Sequence, residues 1–129
     1  MQLGELEKLV VQYLWRHKIG DAKKVHAFFE KSRGGSLNTI QSTLDRLFKK
    51  GLLSREKQGH AFVYSAQINR EALIAKLIKN ITSDFIGHDE NSLITAFSSV
   101  SSELNEKQLS ELEAMIHEQL TQLKNRDHE

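Results

Sequence analysis

The sequence lacks several residue types and patterns, and each absence narrows what this 129-residue chain can do. There is no cysteine, which excludes disulfides, thiolate metal sites and thiol nucleophiles. There is no proline, so nothing in the sequence forces a helix to break. No apolar run approaches the roughly 18 residues that a transmembrane helix needs. The N-terminus has neither the basic nor the apolar segment of a secretory signal, so we expect a cytoplasmic protein.

Signatures of catalysis and cofactor binding are also missing. The sequence has no glycine-rich phosphate loop, no nucleophile elbow and no zinc-protease helix motif. The compact group His88-Asp89-Glu90 is more typical of a turn and a helix cap than of a ligand set. Glu113 and His117 are four residues apart and would need a second chain to complete a divalent metal site. We therefore expect no enzyme activity, no cofactor and no metal.

Charge is distributed unevenly along the chain. Residues 1–75 contain 13 Lys and Arg against 7 Asp and Glu, whereas residues 76–129 contain 5 against 10. A basic N-terminal part favours contact with a polyanion such as nucleic acid. Chains without any nucleic-acid role also show such swings, so charge alone leaves both interpretations open.

Hydrophobic spacing predicts three short helices at the start of the chain, over residues 3–17, 21–32 and 36–50. In each, apolar side chains recur at i, i+3 or i+4, which places them on one helix face. We expect Gly20 to end the first helix with a left-handed cap. Asp21 is a good N-cap for the second helix.

The period of the pattern changes after Gly51. Short stretches at 53–56 and 61–65 flank Gly59, and the second contains residue types that favour strands. Two such stretches around a glycine predict a β-hairpin. Three helices followed by a hairpin is the element order of a winged helix. We therefore predict a mainly α fold with a small hairpin wing over residues 1–68.

Helical spacing returns in residues 69–129, the second predicted domain. Asn69 and Asn105 are expected to cap helices, Asn105 together with Gln108 in a capping box. We expect Gly87 to end the first of these helices and residues 88–91 to form a turn. A short helix then carries Leu93, Ile94, Phe97 and Val100, ahead of the last helix.

The apolar stripes of these C-terminal helices are wide, and no second layer is available within the chain to cover them. We infer that a second copy covers them in a homodimer. The alternative is a monomer in which they fold back on the winged helix. The predicted dimerisation residues are Leu73, Leu77, Ile81, Phe85, Phe97, Leu109, Leu112, Ile116 and Leu120.

The third predicted helix has a polar face that suits the DNA major groove. With Ile40, Leu44, Leu47 and Phe48 toward the core, the outward face has few bulky apolar side chains and many short hydrogen-bonding ones. Asn and Gln suit adenine, Arg suits guanine and a Thr methyl suits thymine. An ordinary solvated helix has the same periodicity, so that alternative stays open. The residues of this face are Asn38, Thr39, Gln41, Ser42, Asp45, Arg46 and Lys49.

Asp45 is the complication on this face, because a carboxylate there would repel phosphate. It could accept a hydrogen bond from a cytosine amino group. Pairing with Arg46 or Lys49 is the interpretation that we favour.

Cations also surround the predicted hairpin. Lys49 and Lys50 precede it, and Arg55, Lys57 and His60 lie within it. Cations on a protruding hairpin suit contact with phosphates beside the groove that the helix enters. The alternative is an ordinary solvated turn.

The stretch NTIQSTLDRLFKKGLL, residues 38–53, resembles the recognition-helix signature of the penicillinase-repressor family of winged-helix regulators, named BlaI/MecI/CopY. The stretch GHAFVY, residues 59–64, is similar to its wing, and residues 3–15 resemble its first helix. The resemblance implies a homodimeric repressor on a palindromic operator in double-stranded DNA, released by an inducing signal. It implies base or phosphate contacts for Asn38, Thr39, Gln41, Ser42 and Arg46, and backbone contacts for the wing around Lys57 to His60.

Two departures from the family pattern bear on the inducing signal. The copper-responsive branch has a cysteine-rich site, which this chain cannot form. In the β-lactam branch a membrane sensor triggers cleavage of an Asn-Phe bond in the dimer domain. The nearest counterpart here is Ala96-Phe97, which keeps the phenylalanine and lacks the asparagine. The resemblance thus implies a candidate cleavage position and an upstream sensor or protease, although the chain lacks the Asn-Phe dipeptide at that position.

A second class of function fits the same elements. Winged helices also dock other proteins, and fold alone does not set function. A protein-interaction module without sequence-specific DNA binding is therefore the alternative to a repressor. Asp45 is the one residue of the helix face that favours this alternative.

Overall fold

The computed structural model describes residues 1–86 and 90–127. It confirms a mainly α fold in which a small antiparallel sheet accompanies the first three helices. In chain order the elements are α1 Glu5–His17, β1 Ile19–Asp21, α2 Ala22–Glu30, α3 Leu37–Lys49, β2 Leu53–Gln58, β3 Ala61–Ala66, α4 Arg70–Ile86, α5 Glu90–Ser101 and α6 Glu106–Asp127.

Side-chain caps fix several helix starts as the sequence predicts. The Asp21 carboxylate accepts the Lys24 backbone N–H at 2.8 Å and caps α2. Asn105 and Gln108 accept each other's backbone N–H at 2.9 and 3.0 Å, which is the predicted capping box of α6. Asn69 accepts the Ala72 N–H at 2.8 Å and caps α4.

The end of α1 differs from the prediction. Lys18, rather than Gly20, ends the helix: it has φ of 77° and ψ of −54°, outside the left-handed helical region, and donates its N–H to the Leu14 carbonyl at 3.0 Å. Gly20 is instead buried within β1. A Cβ there would lie 3.0 Å from Tyr13 Cε1 and 3.2 Å from Val25 Cγ2, so space rather than backbone conformation requires this glycine.

Strand β1 was not predicted from the sequence. It pairs antiparallel with β3, Gly20 opposite Tyr64, and the sheet order is β1-β3-β2. Three residues between two helices are too few to show an alternating pattern. The pairing therefore depends on where β3 lies, which is a tertiary property.

Two predictions concern the segment after α4. The predicted turn over 88–91 is wrong for Glu90 and Asn91, because both belong to α5, and its other two residues lie outside the described ones. The helix end expected at Gly87 lies outside the described residues. So do His88 and Asp89, and with them the group His88-Asp89-Glu90.

The chain divides into two compact units, Met1–Ile81 and Thr82–Glu129. The predicted boundary was at 68/69. The first unit includes most of α4, because Leu73 is buried and Leu77 packs against the same core. The core of this unit consists of Val10, Val11, Leu14, Val25, Phe29, Ile40, Leu44, Leu47, Leu52, Leu53, Tyr64 and Leu73.

The second unit has no buried side chain among its described residues. Its helices α5 and α6 expose large apolar side chains that range from Leu93, 38% exposed, to Ile94, 67% exposed. No helix in the described part of the chain is both long and apolar enough to cross a membrane. An uncovered apolar surface of this extent is typical of a protein–protein interface.

Candidate nucleic-acid interface

Helix α3 presents the predicted polar face to solvent. Its apolar side, Ile40, Leu44 and Leu47, is buried in the core. Because a helix repeats every 3.6 residues, the opposite side must then point outward. The exposed residues of this face are Asn38, Thr39, Gln41, Ser42, Arg46 and Lys49.

The N-terminus of α3 is ordered by a local cap. Ser36 Oγ accepts the Thr39 backbone N–H at 3.1 Å and lies 2.9 Å from Thr39 Oγ1. Thr43 is fully buried, which the sequence analysis missed; its hydroxyl donates to the Thr39 carbonyl at 2.7 Å. Arg46 Nη2 donates in turn to the Thr43 hydroxyl at 3.2 Å. These bonds leave Asn38, Gln41 and Ser42 uninvolved in the cap.

Asp45 is neutralised by two cations. Lys49 Nζ lies 2.9 Å from one carboxylate oxygen, as we favoured from the sequence, and Arg55 Nη1 lies 3.1 Å from the other. Hydrogen bonds from Lys49 and from Arg55 hold the pKa of Asp45 below its usual range. The Asp45 carboxylate is therefore charged, and its two cationic partners reduce its repulsion of phosphate.

Arg55 joins the wing to α3. Its guanidinium carbon lies 3.9 Å from the centre of the Phe48 ring and 4.2 Å from that of Phe62, so it is stacked between an α3 ring and a β3 ring. Hydrogen bonding to Tyr64 and to Asp45 raises the pKa of this guanidinium. Arg55 is thus engaged within the protein, which a tally of cations along the sequence could not reveal.

Lys50 is engaged in the same way at the other end of α3. Its Nζ donates to Glu7 Oε2 at 2.6 Å and to the Gln2 carbonyl at 2.9 Å. Glu7, on α1, also accepts the Gly4 N–H at 3.1 Å. Burial raises the pKa of Glu7, but the Lys50 and Gly4 hydrogen bonds and the charges of Lys50 and Arg46 outweigh it and lower that pKa. Lys50 therefore ties α3 to the first turn of α1.

The wing places its remaining cations at its tip. Strands β2 and β3 pair from Leu53 opposite Ala66 to Gln58 opposite Ala61, and Gly59, with φ of 62°, forms the turn. Lys57 and His60 are both exposed there. No ion pair involving either residue occurs in the part of the chain that the structure describes.

A cleft of about 520 Å³ brings helix and wing residues together. Gln41, from α3, and His60, from the wing, both line it, as do Asp45 and Arg55. Lys23, in the first turn of α2, lines it too and was missed; the exposed pair Lys23-Lys24 in the sequence was the available signal. Of the predicted DNA-binding residues, Gln41, Arg55 and His60 thus line one common cleft.

The predicted dimerisation residues separate into two groups. Leu73 is 5% exposed and Leu77 is half-buried, both against the core of the first unit, so they have little surface left for a partner. Leu112 is half-buried. The others are exposed, namely Ile81, Phe85, Phe97, Leu109, Ile116 and Leu120. The candidate cleavage position Ala96-Phe97 lies within α5, where both residues are exposed.

Histidine and carboxylate side chains do not gather into a metal site over residues 1–86 and 90–127. Glu113 and His117 are exposed on α6. His26 Nε2 lies 3.0 Å from the Gly35 carbonyl, a packing role between α2 and the loop before α3.

Comparison with known proteins yields one consistent family. A family model described as penicillinase repressor matches residues 3–118. Penicillinase repressors from Staphylococcus aureus and Bacillus licheniformis are similar to this chain. The first is 28% identical over 118 residues, 92% of this chain and 93% of that protein. The second is 29% identical over 117 residues, 91% of each.

A solved structure is consistent with the same family. The DNA-binding domain of the repressor BlaI, determined in solution, is 34% identical to this chain with a TM-score of 0.51. The match covers 55% of this chain and 87% of that domain.

Proposed function

Because this chain belongs to the penicillinase repressor family, we propose that it is a transcriptional repressor that binds a two-fold symmetric operator in duplex DNA as a homodimer. The family consists of transcriptional repressors rather than enzymes. The observation that carries the proposal is the exposed polar face of α3, from which Gln41 lines the same cleft as His60 of the wing.

In this proposal the first half of α3 reads bases. Asn38 and Gln41 are amides, which can bond adenine through its N6 and N7 atoms in the major groove. Ser42 can bond either kind of base pair, and the Thr39 methyl suits thymine. Arg46 reaches guanine or a phosphate. All five side chains are exposed, so no rearrangement of the core is needed.

Lys57 and His60 contact the phosphate backbone from the wing tip, and Lys23 does so from the start of α2. Lys49 remains solvent-exposed although it pairs with Asp45, so it can reach a phosphate as well. Lys50 and Arg55 act indirectly instead. Lys50 holds the end of α3, and Arg55 holds the wing against it.

A homodimer accounts for the exposed apolar side chains of α5 and α6. A second copy offers the same surface, and an isologous contact would cover both at once. Two winged helices held in this way would read half-sites about one DNA turn apart, near 34 Å. The surface that we assign to the contact comprises Phe85, Phe97, Leu109, Leu112, Ile116 and Leu120.

We propose that an upstream sensor or protease releases the repressor by cutting α5 at Ala96-Phe97. Every described side chain from Asn91 to Val100 is exposed in the single chain, so α5 has little packing of its own. Because Phe97 belongs to the surface that we assign to the homodimer, a cut at this position would divide that surface. Mass spectrometry of the protein from induced cells tests this. Fragments that meet at residues 96 and 97 support it, and an intact chain after derepression contradicts it.

The DNA proposal is tested by selecting bound duplexes from a random pool at near-physiological salt. A two-fold symmetric enriched site supports it. No enrichment, together with weak binding that salt abolishes, contradicts it and favours the protein-interaction module. Asp45, the residue that favoured that module, is matched by Lys49 and Arg55.

Three variants separate the roles of helix and wing. Gln41→Ala should lose base preference at one position of each half-site, by about 1–3 kcal/mol of discrimination. Lys57→Ala should weaken binding to all sequences alike and lower the salt slope by about 1 for each phosphate that is no longer neutralised. Lys107→Ala, in the first turn of α6, is the matched control. If Lys57→Ala changed base preference and Gln41→Ala did not, the assignment would be wrong.

A further inference from the structure

A second concave site lies on α1, away from the DNA-facing cleft. We define the α1 groove by its lining residues, Leu9, Gln12, Tyr13, Trp15, Arg16, His17, Phe28, Phe29 and Arg70. Its volume is about 460 Å³, and it shares no lining residue with the cleft between α3 and the wing. This volume is in the range of small-molecule sites, roughly 300–1,000 Å³.

The walls of the α1 groove are rich in aromatic rings. Tyr13 stacks on His17 with ring centres 4.2 Å apart, and Phe28 meets Tyr13 edge-on at 5.0 Å. Phe28 nevertheless remains 45% exposed, so a large apolar ring faces the groove without a covering element. The Trp15 N–H is already used, since it donates to the Ile68 carbonyl at 2.8 Å. These rings therefore offer π surfaces and suit a planar aromatic group.

The charges of the α1 groove are all of one sign. Arg16 and Arg70 line it, and none of its lining residues is an aspartate or a glutamate. Neither guanidinium has a carboxylate partner in the described part of the chain. The Arg70 guanidinium lies 5.0 Å above the Trp15 ring. Burial and the charge of Asp21 raise the pKa of Tyr13, so its hydroxyl stays a neutral donor.

We propose that the α1 groove binds a small planar aromatic anion of the aromatic carboxylate class, held by ring stacking and by the Arg16 and Arg70 guanidiniums. A guanidinium presents paired N–H donors that match a carboxylate, and it is fully charged at neutral pH. Arg70 opens α4, the helix by which the chain leaves the winged helix. A ligand held there would touch the first turn of that helix.

The test uses benzoate as the probe and the full chain without DNA, so its result does not depend on the proposed repressor function. Trp15 is the only tryptophan and lines the groove, so its fluorescence reports binding at this site. Calorimetry on the same samples shows whether a fluorescence change reflects binding rather than an effect on the Trp15 fluorophore alone. We expect saturable binding with a Kd on the order of 1 mM or tighter.

Two isosteric ligands separate the charge from the ring. Benzamide keeps the ring and loses the charge, and cyclohexanecarboxylate keeps the charge and loses the aromatic face. Each should bind at least tenfold more weakly than benzoate. If either bound as tightly as benzoate, the corresponding half of the proposal would be overturned.

Variants place the ligand in the groove. Arg16→Ala and Arg70→Ala should each weaken benzoate at least tenfold and leave the weak binding of benzamide unchanged. Arg126→Gln removes a guanidinium of α6 that does not line the groove, and it should bind benzoate like the parent. If all three variants lost the same affinity for benzoate, the loss would come from net charge alone, and the proposed site would be refuted. Arg70→Lys supplies the charge without the planar fork if Arg70→Ala fails to fold, and it should bind at an intermediate strength.

Discussion

The Glu7–Lys50 ion pair allows a sharp prediction about stability. Glu7→Gln keeps the shape of the side chain and one of the two oxygens that accept from Gly4 and Lys50, but it turns the other acceptor into an NH2 donor and removes the negative charge. The Glu7 side chain is 10% exposed and that of Lys50 is 31% exposed. Exposed pairs contribute about 0–1 kcal/mol, whereas breaking a buried pair costs about 3–5 kcal/mol. The Glu7–Lys50 pair is partly buried, so we expect its loss to lower the free energy of unfolding by an intermediate amount, about 1–2 kcal/mol at pH 7.

Urea unfolding at a fixed protein concentration measures this loss. With a slope of about 2 kcal/mol per molar, within the usual urea range, the midpoint should fall by roughly 0.5–1 M. Glu5→Gln is the matched control, because Glu5 lies in the same first turn of α1 and is exposed. It should move the midpoint little. An equal effect of both substitutions would show that the loss reflects helix-end charge rather than the ion pair.

The pH dependence gives an independent check, because the pKa of Glu7 is lowered from an ordinary value of 4.5. A carboxyl whose pKa is lower in the folded state contributes stability that is fully present above the unfolded-state pKa. That contribution is lost as the pH falls from about 4.5 through the lower folded-state pKa. The difference between the parent and Glu7→Gln should therefore shrink toward zero in acid. If the stability difference between the parent and Glu7→Gln stayed constant down to low pH, the charge of Glu7 would not be its cause.

Three further substitutions test packing, a buried hydrogen bond and the dimer. Gly20→Ala places a methyl group 3.0 Å from Tyr13 Cε1, so urea unfolding should show a loss of about 1–3 kcal/mol; an unchanged midpoint would contradict this packing. Thr43→Val removes the hydroxyl that donates to the Thr39 carbonyl at 2.7 Å, and urea unfolding should show a loss of about 1 kcal/mol of stability. An unchanged midpoint would contradict this hydrogen bond. Leu120→Asp should convert the proposed homodimer to a monomer in analytical ultracentrifugation, whereas Gln119→Asp, one residue away and already polar, should not; dimers in both variants would refute the assigned surface.

The roles of the cations show where sequence reasoning stops. Periodicity placed Lys50 and Arg55 near the end of α3 and in the wing, and their charge suggested phosphate contacts. Lys50 instead pairs with Glu7, which is 43 residues earlier in the chain. Arg55 stacks on Phe48 and Phe62 from two other elements. Lys57, a cation like them, stays exposed at the wing tip together with His60, and no local pattern distinguishes Lys57 from Lys50 and Arg55.

The features that can be predicted from the sequence alone are local ones. Apolar residues at helical spacing predicted the six helices, and side chains three residues from a backbone N–H predicted the caps at Asp21 and Asn105. These interactions span one helical turn, so a short window of sequence contains all of their partners. The exposed polar face of α3 followed from the same periodicity.

Features whose partners are distant in the chain depend on tertiary contacts and could not be predicted. Strand β1 exists because β3, more than forty residues later, pairs with it. Leu73 joins the core of the first unit because the start of α4 packs there, although its spacing in the sequence is the same as that of the exposed Ile81. The α1 groove needs α1, α2 and Arg70 together. Burial and long-range pairing depend on which elements meet, and the period of a single element carries no information about that.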